Sequence, residues 1–229
     1  MRRSTFVLGA LALMAGSLLP TGGSVAQEAE KPQALVDRAA TVVAELKAEE
    51  RYGDFAPYLQ KAKAVLIVPQ LLKAGFIVGG EFGDGVMLTR AADGGWSGPA
   101  FYSMAGGSIG LQVGAEAKRV LIAIMTEKGV NALLTDQFKI GADASISVGE
   151  VGGGASAGSV GSLDKADMVA FSRSKGLFGG GALDGTLIRP VPEKNAAYYG
   201  AGTTTRDILI SRTVTASGAA GLKAALSAR

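Results

Sequence analysis

The sequence predicts an α+β domain, in which a strongly curved antiparallel sheet or barrel carries an N-terminal amphipathic helix and flanking helices. Three observations lead to this prediction. An early segment repeats apolar residues at helical spacing, the later chain alternates apolar with small or polar residues, and glycine makes up 34 of 229 residues. This glycine content is about twice the usual 7%. Because aliphatic residues alternate regularly around the glycines, the composition is typical of β structure and its turns.

The first element is an amphipathic helix over residues 32–50. Its apolar residues fall on one helical face, at Leu35, Ala39, Val42, Val43 and Leu46. The opposite face carries both signs of charge, which is the pattern of a helix that packs on a core. Further helices are predicted over residues 55–62, over 127–136 and near 219–226.

Strands are predicted from apolar runs and from alternation with a period of two. Residues 64–68 indicate a buried strand that ends at Pro69, and residues 120–125 indicate a strand covered on both faces. The dipeptides Asp84-Gly85 and Asp184-Gly185 are hairpin-turn signals. The remaining predicted strands cover residues 109–113, 144–148, 168–171 and 183–188.

The N-terminus has the pattern of a secretory signal peptide. Arg2 and Arg3 precede an apolar run from Phe6 to Leu19, and small residues follow at 24–26. The run is shorter than the roughly 20 residues that a spanning helix needs. We therefore predict a signal peptide over residues 1–26, a single domain over 27–229, and export to the periplasm or the medium with peripheral attachment to a membrane.

Composition excludes several kinds of chemistry. The chain contains no cysteine and no histidine, which rules out disulfides, serine-histidine and cysteine-histidine nucleophile pairs, and the usual transition-metal ligands. The dipeptide Gly-Lys never occurs, so there is no P-loop. The formal net charge of +3 falls by two when the signal peptide is removed, and it does not argue for nucleic acid.

Four acidic residues are the candidates for carboxylate chemistry, namely Glu81, Asp84, Asp164 and Asp167. We expect them to be solvated surface groups rather than a catalytic or calcium-binding pair, because the oxygen ligands of an EF-hand loop are missing around them. We accordingly expect no enzyme, no cofactor and no metal. A hydrolase that uses carboxylates stays an alternative.

Four segments together carry a family resemblance. They are KAKAVLIVPQLLKAGFIVGGEFGDGVMLTR, GGWSGPAFYSMAGGSIGLQVGAE, FKIGADASISVGEVGGGASAG and FSRSKGLFGGGALDGTLI, the last followed by NAAYYG. Read in this order, the chain from about residue 35 to 199 resembles the SYLF family, also called the Ysc84 actin-binding domain family. The resemblance implies a non-enzymatic lipid-binding domain, with phosphatidylinositol lipids bound by eukaryotic members and actin bound by fungal ones.

The chain departs from the family in two places. An exported protein does not meet actin, and residues 149–153 read Gly-Glu-Val-Gly-Gly where many members carry Gly-Pro-Val-Gly-Arg. We therefore expect bacterial anionic phospholipid as the partner. The alternative is a cell-envelope structural protein that binds a protein partner.

Two groups of residues are candidates for lipid contact. The first contains Arg173 and Lys175, two residues apart, with Leu177 and Phe178 at a glycine-rich tip; the second is a basic patch of Lys61, Lys63 and Lys73. Cations near an anionic surface contribute roughly 1 kcal/mol each, and a buried aromatic side chain adds apolar area.

Each of these interpretations has a structural alternative. Leu177 and Phe178 could cap the core, with Arg173 and Lys175 paired to Asp164 or Asp167. Trp96 and the pair Tyr198-Tyr199 are interpreted as core or turn anchors rather than interfacial side chains.

Overall fold

A computed structural model of the chain describes residues 30–49, 52–75, 78–109, 116–149, 166–173, 183 and 185–228. The helices are α1 (Pro32–Lys47), α2 (Tyr52–Lys61), α3 (Glu127–Leu133), α4 (Pro192–Tyr199) and α5 (Ala220–Ser227), with a π-helical turn (Asp207–Ser211) and a 3₁₀ turn (Ser217–Ala219) before α5. The strands are β1 (Ala64–Gly75), β2 (Val78–Thr89), β3 (Ala100–Ile109), β4 (Glu116–Ile124), β5 (Phe138–Lys139), β6 (Ile146–Gly149), β7 (Met168–Arg173) and β8 (Leu187–Pro190).

The strands form one curled, eight-stranded sheet in the order β5-β8-β3-β2-β1-β4-β7-β6. All neighbours are antiparallel except β6 and β7, which run parallel. The two edge strands, β5 and β6, are joined by residues 140–145, where Ile140 forms a bridge with Ala144. The two edges of the sheet are thus only six residues apart along the chain, and the predicted α+β fold with a strongly curved sheet is confirmed.

Two hydrophobic cores lie on the two faces of this sheet. Residues 120–124 of β4 are all fully buried because alternate side chains enter opposite cores, as the continuous apolar run predicted. The inner core is lined by both edges of the sheet and closed by α3 and the π-helical turn; it includes Leu66, Met87, Tyr102, Phe138, Ala144 and Leu209. The outer core lies under α1, α2 and α5; it includes Leu46, Phe55, Ile67, Leu88, Phe101 and Leu222.

The helix α1 confirms its amphipathic pattern. Pro32 stands in its first turn, and its buried face contains the five predicted apolar residues together with Val36. The helix ends at Lys47 rather than at residue 50. At that point the Lys47 ammonium donates hydrogen bonds to the carbonyl oxygens of Ala225, Leu226 and Ala228, so it caps the end of α5.

The predicted end of β1 at Pro69 is wrong, because the strand continues to Gly75. The register of β1 shifts between Val68 and Leu71 against β4, and between Ile67 and Leu72 against β2. Pro69 lies inside this bulge. A bulge leaves one residue without ladder hydrogen bonds, so the missing N–H of proline costs little there.

The hairpin turn predicted at Asp84-Gly85 is also wrong, since both residues lie in the middle of β2 and pair with Ser103 and Tyr102. Glycine is needed at 85 for close approach, because a Cβ there would lie 2.6 Å from the carbonyl oxygen of Ile67. At the second dipeptide, Gly185 lies in a turn with φ of 78°, and Asp184 lies outside the described residues.

Other differences are smaller. The last strand, β8, begins at Leu187, four residues later than predicted, and β3 ends at Ile109 while residues 110–115 lie outside the described part of the chain. The predicted signal peptide also lies outside it. Within the described ranges, no helix combines the length and the apolar content that crossing a membrane requires.

Candidate functional site

The two ends of the sheet differ in what surrounds them. The hairpin end is the end at which β1 leads into β2, where Gly75 pairs with Gly79. β7 finishes and β8 begins at this same end, because Arg173 pairs with Arg119 and Leu187 pairs with Ala105. The far end carries Ala64, Thr89, Ile124 and α3.

An apolar row crosses the outer face of the sheet near the hairpin end. Cross-strand pairs join Ala117 to Leu72, Leu72 to Phe82, Phe82 to Ala105, and Ala105 to Leu187. We call these five residues the outer row. Because neighbouring strands lie about 4.8 Å apart, the row is roughly 19 Å long.

The outer row lies beyond the helices that cover the rest of this face. Phe82 is 53% exposed, and Ile210 at the far end is the other large exposed hydrophobic side chain among the described residues. Ala105 and Ala117 are exposed, while Leu72 and Leu187 are half-buried. The next positions toward the tip, Gly80 and Gly107, have no side chains, so the Phe82 ring projects from its surroundings.

A belt of charged and polar pairs lies between the outer row and the helices. Glu45 of α1 binds Arg119 at 3.1 Å, and Asp84 binds Lys194 of α4 at 2.5 Å. Arg189 donates to the Ser103 hydroxyl at 3.2 Å. Lys139, exposed, follows Leu187 in the sheet register. In the described part of the chain neither the Arg189 nor the Lys139 side chain forms an ion pair, although the Lys139 backbone N–H donates to Asp143. Both side chains therefore contribute positive charge on this side of the row.

The predicted lipid-contact residues are distributed unevenly. Arg173 ends β7 at the hairpin end, where its backbone pairs with that of Arg119. Lys175, Leu177 and Phe178, which follow it, lie outside the described residues, so their predicted role stays a prediction.

The three lysines of the second group do not form one patch. Lys73 occupies the register position between Glu81 and Glu116 at the hairpin end. Lys63 lies at the far end, where its ammonium binds Glu127 at 2.8 Å, and Lys61 ends α2 nearby. Ten residues of strand separate Lys63 from Lys73, a distance of roughly 30 Å.

Asp167 is not the partner of Arg173, because it precedes β7 at the far end of the sheet. Its carboxylate accepts hydrogen bonds from Thr126 Oγ1 at 2.7 Å, from the backbone and side chain of Ser145, and from Lys128. Burial alone would raise the pKa of Asp167, but these hydrogen bonds outweigh it and hold the pKa below its usual value. The expectation of a solvated carboxylate is therefore wrong for Asp167, and Asp164 lies outside the described residues.

The same expectation is wrong for Glu81 and Asp84. Glu81 is buried on the inner face, 3.2 Å from Lys118 Nζ, and the two side chains are only 5% and 8% exposed. Asp84 is held by Lys194 on the outer face. Both carboxylates neutralise lysines. Within the described ranges, no group of acidic residues has the arrangement that a metal ion needs.

The aromatic residues act as anchors, as interpreted from the sequence. Trp96 is buried, and the Arg90 guanidinium lies 4.1 Å from its ring centroid. The Tyr199 hydroxyl donates to the Pro99 carbonyl oxygen, and burial raises the pKa of this phenol. Tyr198 packs edge-on against Phe101 and donates to Gln33 of α1. These rings tie α4 and α1 to the sheet.

The curled eight-stranded sheet with helices packed on its outer face defines an α+β domain. The model of one known family, "Ysc84: Las17-binding protein actin regulator", matches residues 105–229. The chain belongs to this family, which confirms the resemblance seen in the sequence motifs.

Individual relatives agree with this assignment. Protein YSC84 of Saccharomyces cerevisiae is 35% identical over 158 residues, which cover 68% of this chain and 34% of the relative. LAS seventeen-binding protein 3 of the same yeast is 35% identical over 156 residues, which cover 67% of this chain and 34% of the relative. SH3 domain-containing YSC84-like protein 1 of Homo sapiens is 30% identical over 159 residues, which cover 69% and 46%. The chain thus spans less than half of these relatives, and no solved structure matches it.

Proposed function

We propose that this domain binds anionic phospholipid surfaces with the hairpin end of its sheet. The observation that carries the proposal is the exposed Phe82 ring, which stands in an unbroken apolar row across five strands. Apolar groups of this kind enter the lipid interface, while the cations of the adjoining belt remain at the level of the headgroups.

The energies suit reversible attachment. A fully buried aromatic side chain covers about 200 Å², so the exposed half of Phe82 offers about 100 Å², or about 2.5 kcal/mol at 25 cal/mol per Å². Each cation close to an anionic surface adds about 1 kcal/mol. Arg189 and Lys139 supply such cations in the described structure. Because their contribution is electrostatic, high salt should weaken the attachment.

The residues that follow β7 extend this surface in the proposal. Arg173 pairs with Arg119 in the sheet register, and Lys175, Leu177 and Phe178 come shortly after it in the chain. Lys73 lies at the same end, whereas Lys61 and Lys63 are placed away from it. The predicted export of the chain would bring this surface to the periplasmic face of a membrane or to the medium.

Vesicle flotation tests the proposal. The protein is used in the form that the expressing cell produces, and mass spectrometry identifies its N-terminal residue. Vesicles of phosphatidylcholine alone are compared with vesicles that also contain phosphatidylglycerol, at low and high salt. We expect binding to the anionic vesicles only, weakened by salt. Phe82→Ser should lower the partition coefficient roughly 60-fold, which is about 2.5 kcal/mol at 1.4 kcal/mol per tenfold.

Ile210→Ser is the matched control, because Ile210 is 45% exposed but lies at the far end. It should leave binding unchanged, while Arg173→Glu with Lys175→Glu should weaken binding to anionic vesicles. Equal losses for Phe82→Ser and Ile210→Ser would show that the hairpin end is not the docking surface. Binding that is indifferent to lipid charge would refute the role of the cations and with it the preference for anionic lipid.

A protein partner is the second candidate, and the family's description as a Las17-binding actin regulator favours it. This description gives no support to the expectation that actin is excluded. Co-sedimentation of the lipid-free protein with filamentous actin tests this candidate. Pelleting that Phe82→Ser abolishes would assign the outer row to a protein partner, whereas absence of pelleting removes actin and leaves a cell-envelope protein as the alternative.

A further inference from the structure

A cleft of about 510 Å³ opens on the helical side of the domain, at the far end of the sheet. Its walls come from the end of α1, the second half of α2, the turn after β2 and the end of α5. Phe82 and Arg90 are eight residues apart along β2, so the cleft lies roughly 26 Å from the outer row. The lining residues are Lys47, Ala56, Leu59, Gln60, Arg90, Gly94 and Leu226 to Ala228.

Two cations lie in this cleft, and among the described residues neither has a carboxylate partner. Lys47 Nζ donates to the carbonyl oxygens of Ala225 at 2.6 Å and Ala228 at 2.7 Å. Arg90 donates from Nε to Ala62 O at 3.1 Å and from Nη2 to Leu59 O at 2.9 Å. These carbonyl groups lie at the C-terminal ends of α5 and α2. The C-terminal end of a helix carries only about half of a unit negative charge, so it compensates each cation only in part.

The guanidinium of Arg90 has hydrogen-bond donors that are not used within the described part of the chain. Of its five N–H groups, one on each nitrogen is used, with Nη1 donating to Gly94 O at 3.3 Å. Stacking on Trp96 fixes the plane in which the remaining two lie. Burial lowers the pKa of both Lys47 and Arg90, which is the effect of placing cations in a poorly solvated site.

Part of the remaining wall is apolar, while Gln60 and Ser227 are its polar residues. Leu59 and Leu226, both buried residues of the outer core, line the cleft, and Ala56 lies half-buried one turn before Leu59 in α2. A ligand that fills this space would place one end against cations and the other against hydrocarbon. Its volume falls within the range of about 300–1,000 Å³ that is common for small-molecule sites.

We propose that this cleft binds an acidic amphiphile, a molecule with a carboxylate or phosphate head and a short hydrocarbon tail. The oxygen atoms of the head accept hydrogen bonds from the two remaining N–H groups of Arg90, since oxyanions match the geometry of the guanidinium group. Lys47 adds positive charge beside it, and the tail lies along Leu59 and Leu226. This site is separate from the outer row and does not depend on vesicle binding.

The single tryptophan of the chain provides the assay, because Trp96 lies against Arg90 and its fluorescence reports on the cleft. The full chain is titrated with octanoate, octyl phosphate, octan-1-ol and inorganic phosphate, each below its aggregation concentration. Isothermal calorimetry provides an independent affinity. We expect saturable binding of one or both acidic amphiphiles, at least tenfold tighter than octan-1-ol or inorganic phosphate. The preferred head identifies the source of the anion.

Two variants locate the site without removing the structural cations. Ala56→Phe fills the cleft, and Ala197→Phe on the exposed side of α4 is its control. Gln60→Glu adds a negative charge to the wall, with the exposed Asn131→Asp of α3 as its control. We expect each cleft variant, but neither control, to weaken binding at least tenfold, with thermal unfolding confirming the fold.

Several results would overturn the assignment. Octan-1-ol binding as tightly as octanoate would remove the role of the cations. Inorganic phosphate binding as tightly as octyl phosphate would remove the role of the apolar wall. Absence of a saturable signal in both assays, or unchanged affinity in both cleft variants, would show that the cleft is not a ligand site.

Discussion

The buried pair of Glu81 and Lys118 allows a sharp test of how the inner face is held together. Glu81 belongs to β2 and Lys118 to β4, the two strands that flank β1. Their side chains meet at 3.2 Å across β1, and both are almost fully buried. Glu81→Gln would leave the lysine charge buried beside a neutral amide. Because removing one charge of a buried ion pair leaves the other charge poorly solvated, the loss should be about 3–5 kcal/mol of unfolding free energy.

The neighbouring residue on β4 provides an internal comparison. Arg119 forms its ion pair with Glu45 on the outer face, where the side chains are 42% and 40% exposed. Glu45→Gln should therefore cost at most about 1 kcal/mol. The two variants make the same chemical change, so the difference between them measures the effect of burial.

Urea unfolding followed by circular dichroism gives both free energies, provided that the slope against denaturant stays constant. At about 2–4 °C per kcal/mol for a domain of this size, Glu81→Gln should lower Tm by roughly 6–20 °C. The double change Glu81→Leu with Lys118→Met should recover most of the loss, since it removes both charges. Equal small losses for Glu81→Gln and Glu45→Gln would refute the reasoning, because the inner face would then be hydrated.

Two further predictions concern stability. Asp167 has a pKa below that of an unfolded aspartate, so its stabilisation is complete above about pH 4 and is lost as the pH falls through the folded pKa. Asp167→Asn should therefore reduce the decrease of unfolding free energy between about pH 4 and lower pH, and an unchanged decrease would contradict this. Gly83→Ala would place a Cβ 2.5 Å from the Gln70 carbonyl oxygen, whereas Gly107→Ala meets nothing within 4 Å. Urea titration should show a loss of about 2 kcal/mol or more for the first and less than about 0.5 kcal/mol for the second; equal values would contradict the close approach.

Local patterns in the sequence predicted those elements whose cause is local. The spacing of Leu35 to Leu46 determines a helix face, and the run from Val120 to Ile124 requires cover on both sides. The hairpin turn predicted at Asp84-Gly85 is wrong because Gly85 is required by the close approach of the β1 bulge, which is a contact between strands. No pattern within β2 reveals that the backbone of its neighbour approaches so closely.

The candidate site also depends on contacts between strands, which local sequence patterns do not reveal. The residues predicted for lipid contact were close together in the sequence, as Arg173 to Phe178 are. The outer row takes one residue from each of five strands, so only the sheet register assembles it. Lys63 and Lys73 were grouped because β1 was expected to end at Pro69, and the longer strand separates them.

The shortness of the two edge strands also affects how the protein behaves at high concentration. The edge strands β5 and β6 are two and four residues long, and residues 140–145 join them. An edge strand of ordinary length offers unpaired N–H and C=O groups on which another chain can add a strand, which is a common route to aggregation. Within the described residues, edges this short offer few such groups. The fold can therefore expose a sticky aromatic side chain at one end of the sheet without also providing the backbone ladder on which aggregates grow.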